Sequence, residues 1–95
     1  MAKLYNTAQH PKGENSLPTF EIRDGEVFTT VYHSDGEDSH SWYEVRGQGL
    51  YPTVHHPQKA RLDVPWYTIR EGRVYAAEGH PHGAQSTPWF DLRDE

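Results

Sequence analysis

Histidines and arginines recur in step along this 95-residue chain. His10, His33, His56 and His80 follow one another at intervals of 23 or 24 residues, and so do Arg23, Arg46, Arg70 and Arg93. Four imidazoles at equivalent places of a repeat are the first candidates for chemistry. Converging near a common axis, they would suit zinc, nickel or copper, and His55 and His82 would add further nitrogens. Each series member, however, sits in a turn-rich segment: His10-Pro11-Lys12-Gly13, His33-Ser34-Asp35-Gly36, His56-Pro57-Gln58 and His80-Pro81-His82-Gly83. Proline holds the preceding residue extended and glycine permits a positive φ, so the setting describes turn geometry. An imidazole there caps its turn or satisfies a backbone carbonyl. Loops spaced evenly round a ring are expected to point apart, and no ligand spacing with an acidic partner accompanies the histidines. The turn reading therefore precedes the metal reading, and no cofactor is expected.

The arginines define a second candidate. Each shares its strand face with Glu, Thr or Asp two places earlier, and in three copies with Trp42, Trp66 or Trp89 four places earlier. Arg–carboxylate pairs are expected to link neighbouring copies, with guanidinium groups over the indoles adding cation–π attraction. The same residues can instead form a binding patch of Trp42, Trp66, Trp89, Arg23, Arg46, Arg70 and Arg93, since Trp and Arg are enriched where proteins grip partners.

Catalytic signatures are missing. No serine stands in a nucleophile-elbow context. The glycines fall at hairpin turns rather than in a phosphate-binding loop. Carboxylates such as Glu21 and Asp91 are explained by a surface charge network, without the cleft that glycosidase chemistry needs. The formal charge of -5, with three lysines and dispersed arginines, argues against nucleic acid as a partner. No apolar run approaches the roughly 20 residues of a membrane-spanning helix, and the first residues lack the apolar stretch of a signal peptide. The chain has no cysteine, so neither disulfides nor thiolate metal sites are available, and a cytoplasmic setting is expected.

The elements that position these residues are written in the same repeat. Phe20-Glu-Ile-Arg-Asp-Gly-Glu-Val27, Tyr43-Glu-Val-Arg-Gly-Gln-Gly-Leu50 and Tyr67-Thr-Ile-Arg-Glu-Gly-Arg-Val74 each join two extended runs through a glycine-containing pair, which predicts a hairpin. Asp24-Gly25 and Glu71-Gly72 indicate type I′ turns, and Gly47-Gln48 a type II′ turn unless Gly49 introduces a bulge. A fourth copy begins at Phe90 and is completed by Lys3 to Gly13 at the other end of the chain. Residues 3–8 are thus predicted to pair with 89–93 and close the sheet without an open edge. Repeats near 18–40, 41–63, 64–87 and 88–95 completed by 3–17 make one domain of residues 1–95. The expected fold is all-β: four pseudo-symmetric two-stranded hairpins closed into a small barrel or propeller-like ring.

Alternation in the first strands places Phe20/Ile22, Tyr43/Val45, Tyr67/Ile69 and Phe90/Leu92 toward the core, and the tryptophans and arginines on the opposite face. In the second strands Val27, Leu50, Val74 and Leu4 correspond, as do Phe28, Tyr51, Tyr75 and Tyr5, which predicts burial on both sides. The expected function is a non-enzymatic binding or accessory module acting through protein–protein contacts, with homo-oligomerisation as one form of it. A metal-dependent protein using the repeated histidines and a carbohydrate-binding module using exposed tryptophans are the alternatives.

Overall fold

The computed structural model describes residues 2–58 and 62–94. It is an eight-stranded antiparallel barrel in which every strand pairs with its chain neighbours and the last pairs with the first. The strands are β1 (Ala2–Asn6), β2 (Phe20–Arg23), β3 (Glu26–Thr29), β4 (Tyr43–Arg46), β5 (Gly49–Pro52), β6 (Tyr67–Arg70), β7 (Arg73–Ala76) and β8 (Phe90–Asp94). Closure runs through β1 and β8, with Ala2 opposite Asp94 and Asn6 opposite Phe90. The barrel is the ring form of the sequence expectation, and it leaves none of these strands at an open edge. Among the described residues no helix is long and apolar enough to cross a membrane.

Two-residue turns set the register of the hairpins. Asp24 and Gly25 have φ of 51° and 77°, and Glu71 and Gly72 have 51° and 76°. Positive φ at both central positions is the type I′ signature, whose twist matches that of the strands. Gly47 has φ 60° while Gln48 does not enter the left-handed region, as type II′ requires. Arg46 pairs directly with Gly49, so the loop is two residues long and the bulge considered at Gly49 does not form.

The barrel interior is layered. Val27, Val74, Leu4 and Leu50 are fully buried at its middle. Ile22, Val45, Ile69 and Leu92 pack against them from the hairpin-turn end. Phe20, Tyr43, Tyr67 and Phe90 form the layer at the opposite end. Their rings meet edge to face in a closed pinwheel, with centroid separations of 5.9 Å for Phe20–Tyr43, 5.5 Å for Tyr43–Tyr67, 5.5 Å for Tyr67–Phe90 and 5.6 Å for Phe90–Phe20. Such offset contacts are the favoured geometry of aromatic quadrupoles. Phe28, Tyr51 and Tyr75 lie half-buried on the outer wall, whereas Tyr5 is buried. Burial on both faces of the second strands is therefore only partial.

The arginines cover that outer wall. Each guanidinium lies over the aromatic ring of the adjoining strand in its own hairpin unit: Arg23 over Phe28 at 4.1 Å, Arg46 over Tyr51 at 4.1 Å, Arg70 over Tyr75 at 4.0 Å and Arg93 over Tyr5 at 4.3 Å. Arg23 and Arg46 pair with Glu21 and Glu44 two residues back on the same strand, at 3.3 and 2.9 Å. The aromatic partners of these arginines are thus the rings across the hairpin and not the indoles; Arg46 also donates to the Leu62 carbonyl beyond its hairpin at 2.7 Å, and Arg73 links to Asp91 of the next copy at 3.9 Å. The cause is register: the residue diagonal to each arginine across its hairpin is aromatic, and long side chains reach that position.

Candidate binding cup

The turns at the end opposite the hairpins carry the histidines. In each, the histidine N–H donates to the carbonyl three residues back: His10 to Thr7, His33 to Thr30, His56 to Thr53 and His80 to Ala77. The histidine carbonyl then accepts from Gly13, Gly36 or Gly83 in three of these turns. Those glycines have φ of 82°, 81° and 76°, a conformation that costs them no Cβ clash. A turn before each histidine, followed by a second turn in three of the four loops, directs the imidazoles inward, over the pinwheel.

Imidazole orientation is fixed by a bond that recurs four times. Nδ1 accepts the backbone N–H two residues on, from Lys12 at 3.0 Å, Asp35 at 3.0 Å, Gln58 at 3.1 Å and His82 at 3.1 Å. A nitrogen that accepts cannot also carry the proton in a neutral ring, so the hydrogen is assigned to Nε2. Nε2 of His56 lies 3.0 Å from the Tyr43 hydroxyl and Nε2 of His80 lies 3.2 Å from that of Tyr67. At the equivalent places His10 and His33 face Phe90 and Phe20, at 5.0 and 5.1 Å between centroids, where there is no hydroxyl to meet.

Indoles fill the slots between imidazoles. Trp42 stands between His33 and His56, with centroids at 4.9 and 5.6 Å. Trp66 stands between His56 and His80 at 4.5 and 5.1 Å. Trp89 stands between His80 and His10 at 4.9 and 5.6 Å. The result is a cup with a pinwheel floor and a wall of alternating imidazole and indole. It encloses a cavity of ≈ 410 Å³, lined by all four series histidines and all three tryptophans. That volume lies within the range of small-ligand sites.

Electrostatics follow from the packing. Burial holds His10 and His80 down to about 4, aided by Lys12 and His33 for His10 and by His82, His10 and His56 for His80. Burial lowers His33 as well; Asp35 works against it and Lys12 with it. His56 is lowered by burial, against an opposing backbone contact with Gln58. Burial raises both phenols, Tyr43 and Tyr67, far beyond the neutral range. The imidazoles and phenols of the cup are therefore uncharged at neutral pH and present N–H and O–H groups to it, while Lys12, Glu14 and Asp35 also line the cavity.

The candidate residues named from sequence divide into two groups. His10, His33, His56 and His80 come together in one cavity, so the expectation that their loops point apart is overturned. The cause is the turn closed by each histidine N–H, which all four loops share. Trp42, Trp66 and Trp89 join them and are 7%, 8% and 6% exposed, not on an open outer face. Each immediately precedes its strand, where the chain has already turned toward the barrel mouth. Arg23, Arg46, Arg70 and Arg93 stay on the outer wall, apart from the cup. Phe20, Tyr43, Tyr67 and Phe90 carry more than the core role alternation assigns them, because they are also the cup floor. Lys12, Asn15 and Thr19 line the cavity and escape sequence reasoning. The one signal for them is that the first copy has Thr19 where the others have tryptophan. Among the described residues no three His, Asp or Glu side chains are grouped so as to hold one metal ion.

No protein-family model, curated protein or solved structure matches this chain.

Proposed function

We propose that the protein is a non-enzymatic binding module that engages its partner through the histidine–tryptophan cup, most simply a protein partner that inserts a planar side chain. The convergence of four separate turns on one cavity carries this reading. A chamber walled by neutral aromatic rings with a few fixed hydrogen-bonding groups has the make-up of a recognition site. Exposed apolar residues on the same turns support a macromolecular partner: Val31 is 62% exposed, Tyr32 49% and Val54 74%. Such residues can form the contact surface round an inserted anchor. Self-association through the same turns is the homo-oligomeric form of the reading. A cytoplasmic setting goes with it, supported by the cysteine-free composition.

Metal binding has less support, because Nδ1 of every series histidine accepts a backbone bond and two of the four Nε2 atoms are taken by tyrosines. Sugar stacking has less support because the indoles stand between imidazoles with little open face. The test is partner capture from the native organism, followed by amide-shift mapping with the purified partner. Shifts should concentrate in residues 7–13, 30–36, 53–58 and 77–83. Shifts confined to the arginine-covered wall, or to the hairpin turns at 24–25, 47–48 and 71–72, would overturn the reading.

A further inference from the structure

Three of the four slots between neighbouring imidazoles are filled by an indole, and the fourth is not. Between His10 and His33 the residue corresponding to tryptophan is Thr19, whose short side chain turns away to donate to Asn6 Oδ1 at 2.7 Å. The cavity extends into this slot, reaching Asn6, Asn15 and Thr19, whereas Thr29, Pro52 and Ala76, which correspond to Asn6, and Asp38 and Gln85, which correspond to Asn15, do not line it. The slot thus lacks the indole of the other three, and Lys12 Nζ reaches across from the His10 turn to Ser34 of the His33 turn.

Its hydrogen-bonding groups state what the ring should carry. In the neighbouring slot Asp38 Oδ1 accepts the His40 N–H at 3.0 Å, and Oδ2 accepts the indole N–H of Trp42 at 3.1 Å. Asn15 corresponds to Asp38 and makes the same turn, accepting the Leu17 N–H at 3.0 Å through Oδ1. Its other atom is an amide nitrogen, a donor where Asp38 has an acceptor. His10 and His33 each retain an Nε2–H that no tyrosine accepts. Lys12, bonded to Ser34 Oγ at 2.5 Å, also lines the cavity. Glu14 and Asp35 line it as well and disfavour a fully anionic guest relative to a neutral phenol.

We propose that the open slot between His10 and His33 receives a planar aromatic ring ending in an oxygen acceptor, foremost a phenol. The proposal rests on the cup being a binding site and specifies where and what it binds. A tyrosine side chain of a protein partner and a free aryl acid share this chemistry. N-acetyl-tyrosinamide and benzoate separate the two sources, with N-acetyl-phenylalaninamide as the ring lacking the acceptor.

Each is titrated against the full chain while amide shifts and tryptophan emission are followed; all three indoles of the protein border the cup. The tyrosine amide, benzoate or both should give saturable shifts at Asn15, Thr19 and the His10 and His33 turns. The phenylalanine amide should bind about tenfold more weakly for want of the hydrogen bonds. Thr19→Trp fills the slot with the residue the other copies use, so it should fold, melt at higher temperature and lose the binding. Asn15→Asp keeps the turn and removes the donor, so it should weaken the tyrosine amide and favour N-acetyl-tryptophanamide. The proposal is overturned if no probe saturates at millimolar concentration, if the phenylalanine amide binds equally well, or if Thr19→Trp retains binding. The last result would leave the cup as a binding site and remove only the slot. A partner that maps away from the histidine turns would remove the cup itself.

Discussion

Acidification from pH 7.5 to pH 5 should destabilise the barrel by about 2 kcal/mol through His10 and His80 alone. Both rings titrate near 4 in the folded protein, against 6.5 when free. A depressed histidine pKa means that the unfolded chain binds the proton first. Stability is then fully present above pH 6.5 and falls as pH drops toward 4. At pH 5 each unfolded ring is almost wholly protonated and each folded ring almost wholly neutral. The linkage integral over this interval is about 2 kcal/mol per histidine, or about 4 for the pair. Both rings are only half-buried, and solvent screening reduces the figure by about half. His33 and His56 shift in the same direction and add to the same slope. The lowered carboxyl of Asp38, held by the His40 N–H and then by the Trp42 indole, acts only below its ordinary 3.8 and lies outside the interval. Two kcal/mol corresponds to a fall in melting temperature on the order of 10 °C for a domain of this size. Denaturant titrations at pH 7.5, 6.5, 5.5 and 5.0 measure the slope, and proton NMR of the imidazoles assigns it. Flat stability across this range, or His10 and His80 rings titrating at the ordinary 6.5, would refute the packing argument.

Further expectations test the scaffold. Gly25→Val should destabilise by about 1 kcal/mol or more in a thermal melt, because Gly25 has φ 77° while an added Cβ meets nothing within 4 Å, so the cost is backbone strain and not a clash. Deleting residues 1–8 should abolish the cooperative melt, since it removes β1, which pairs on both sides, together with the fully buried Leu4. Arg46→Ala should cost about 0.5–1 kcal/mol, because an exposed guanidinium loses its Tyr51 ring, Glu44 and the Leu62 carbonyl together. Zinc titrated calorimetrically into tag-free protein at pH 7.5 should show no site tighter than micromolar, and a chelator should leave the melt unchanged.

Closure of the sheet is legible in the sequence because the two halves of one hairpin lie at opposite ends of the chain, and only pairing β1 with β8 restores the unit. Turn types are legible because Gly25 and Gly72, which lack a Cβ, take the second left-handed position of each type I′ turn at no steric cost. Alternation places Phe20, Tyr43, Tyr67 and Phe90 inside for the same local reason. The cup is not legible by these rules. Alternation assigns Trp42, Trp66 and Trp89 to the outer face because it presumes a strand that continues backwards. The chain instead bends at each tryptophan itself, and the indole lies at the barrel mouth. Convergence of the histidines depends on the turn that each histidine N–H closes, and no periodicity reports the direction in which a loop leans. The arginine partners depend on which aromatic lies diagonally across a hairpin, a matter of register and not of composition.

A repeat that closes on itself makes departures from its own pattern informative. Filling the fourth slot with tryptophan would bury an aromatic surface of roughly 150–250 Å², and such burial is among the larger stabilising contributions available to a small domain. Thr19 forgoes it and still requires a buried partner for its hydroxyl, which Asn6 supplies. The neighbouring changes all fall on the same side of the cup. Phe20 and Phe90 withhold the hydroxyls that would occupy His33 and His10, and Asn15 offers a donor where Asp38 offers an acceptor. Any one of these substitutions alone would be unremarkable variation in a barrel wall. Together they leave the slot between His10 and His33 without an indole and with Nε2–H donors that no tyrosine accepts, forgoing burial that the other three copies gain. Local departures of this kind, against the grain of the surrounding structure, are where function is expected in a locally consistent fold.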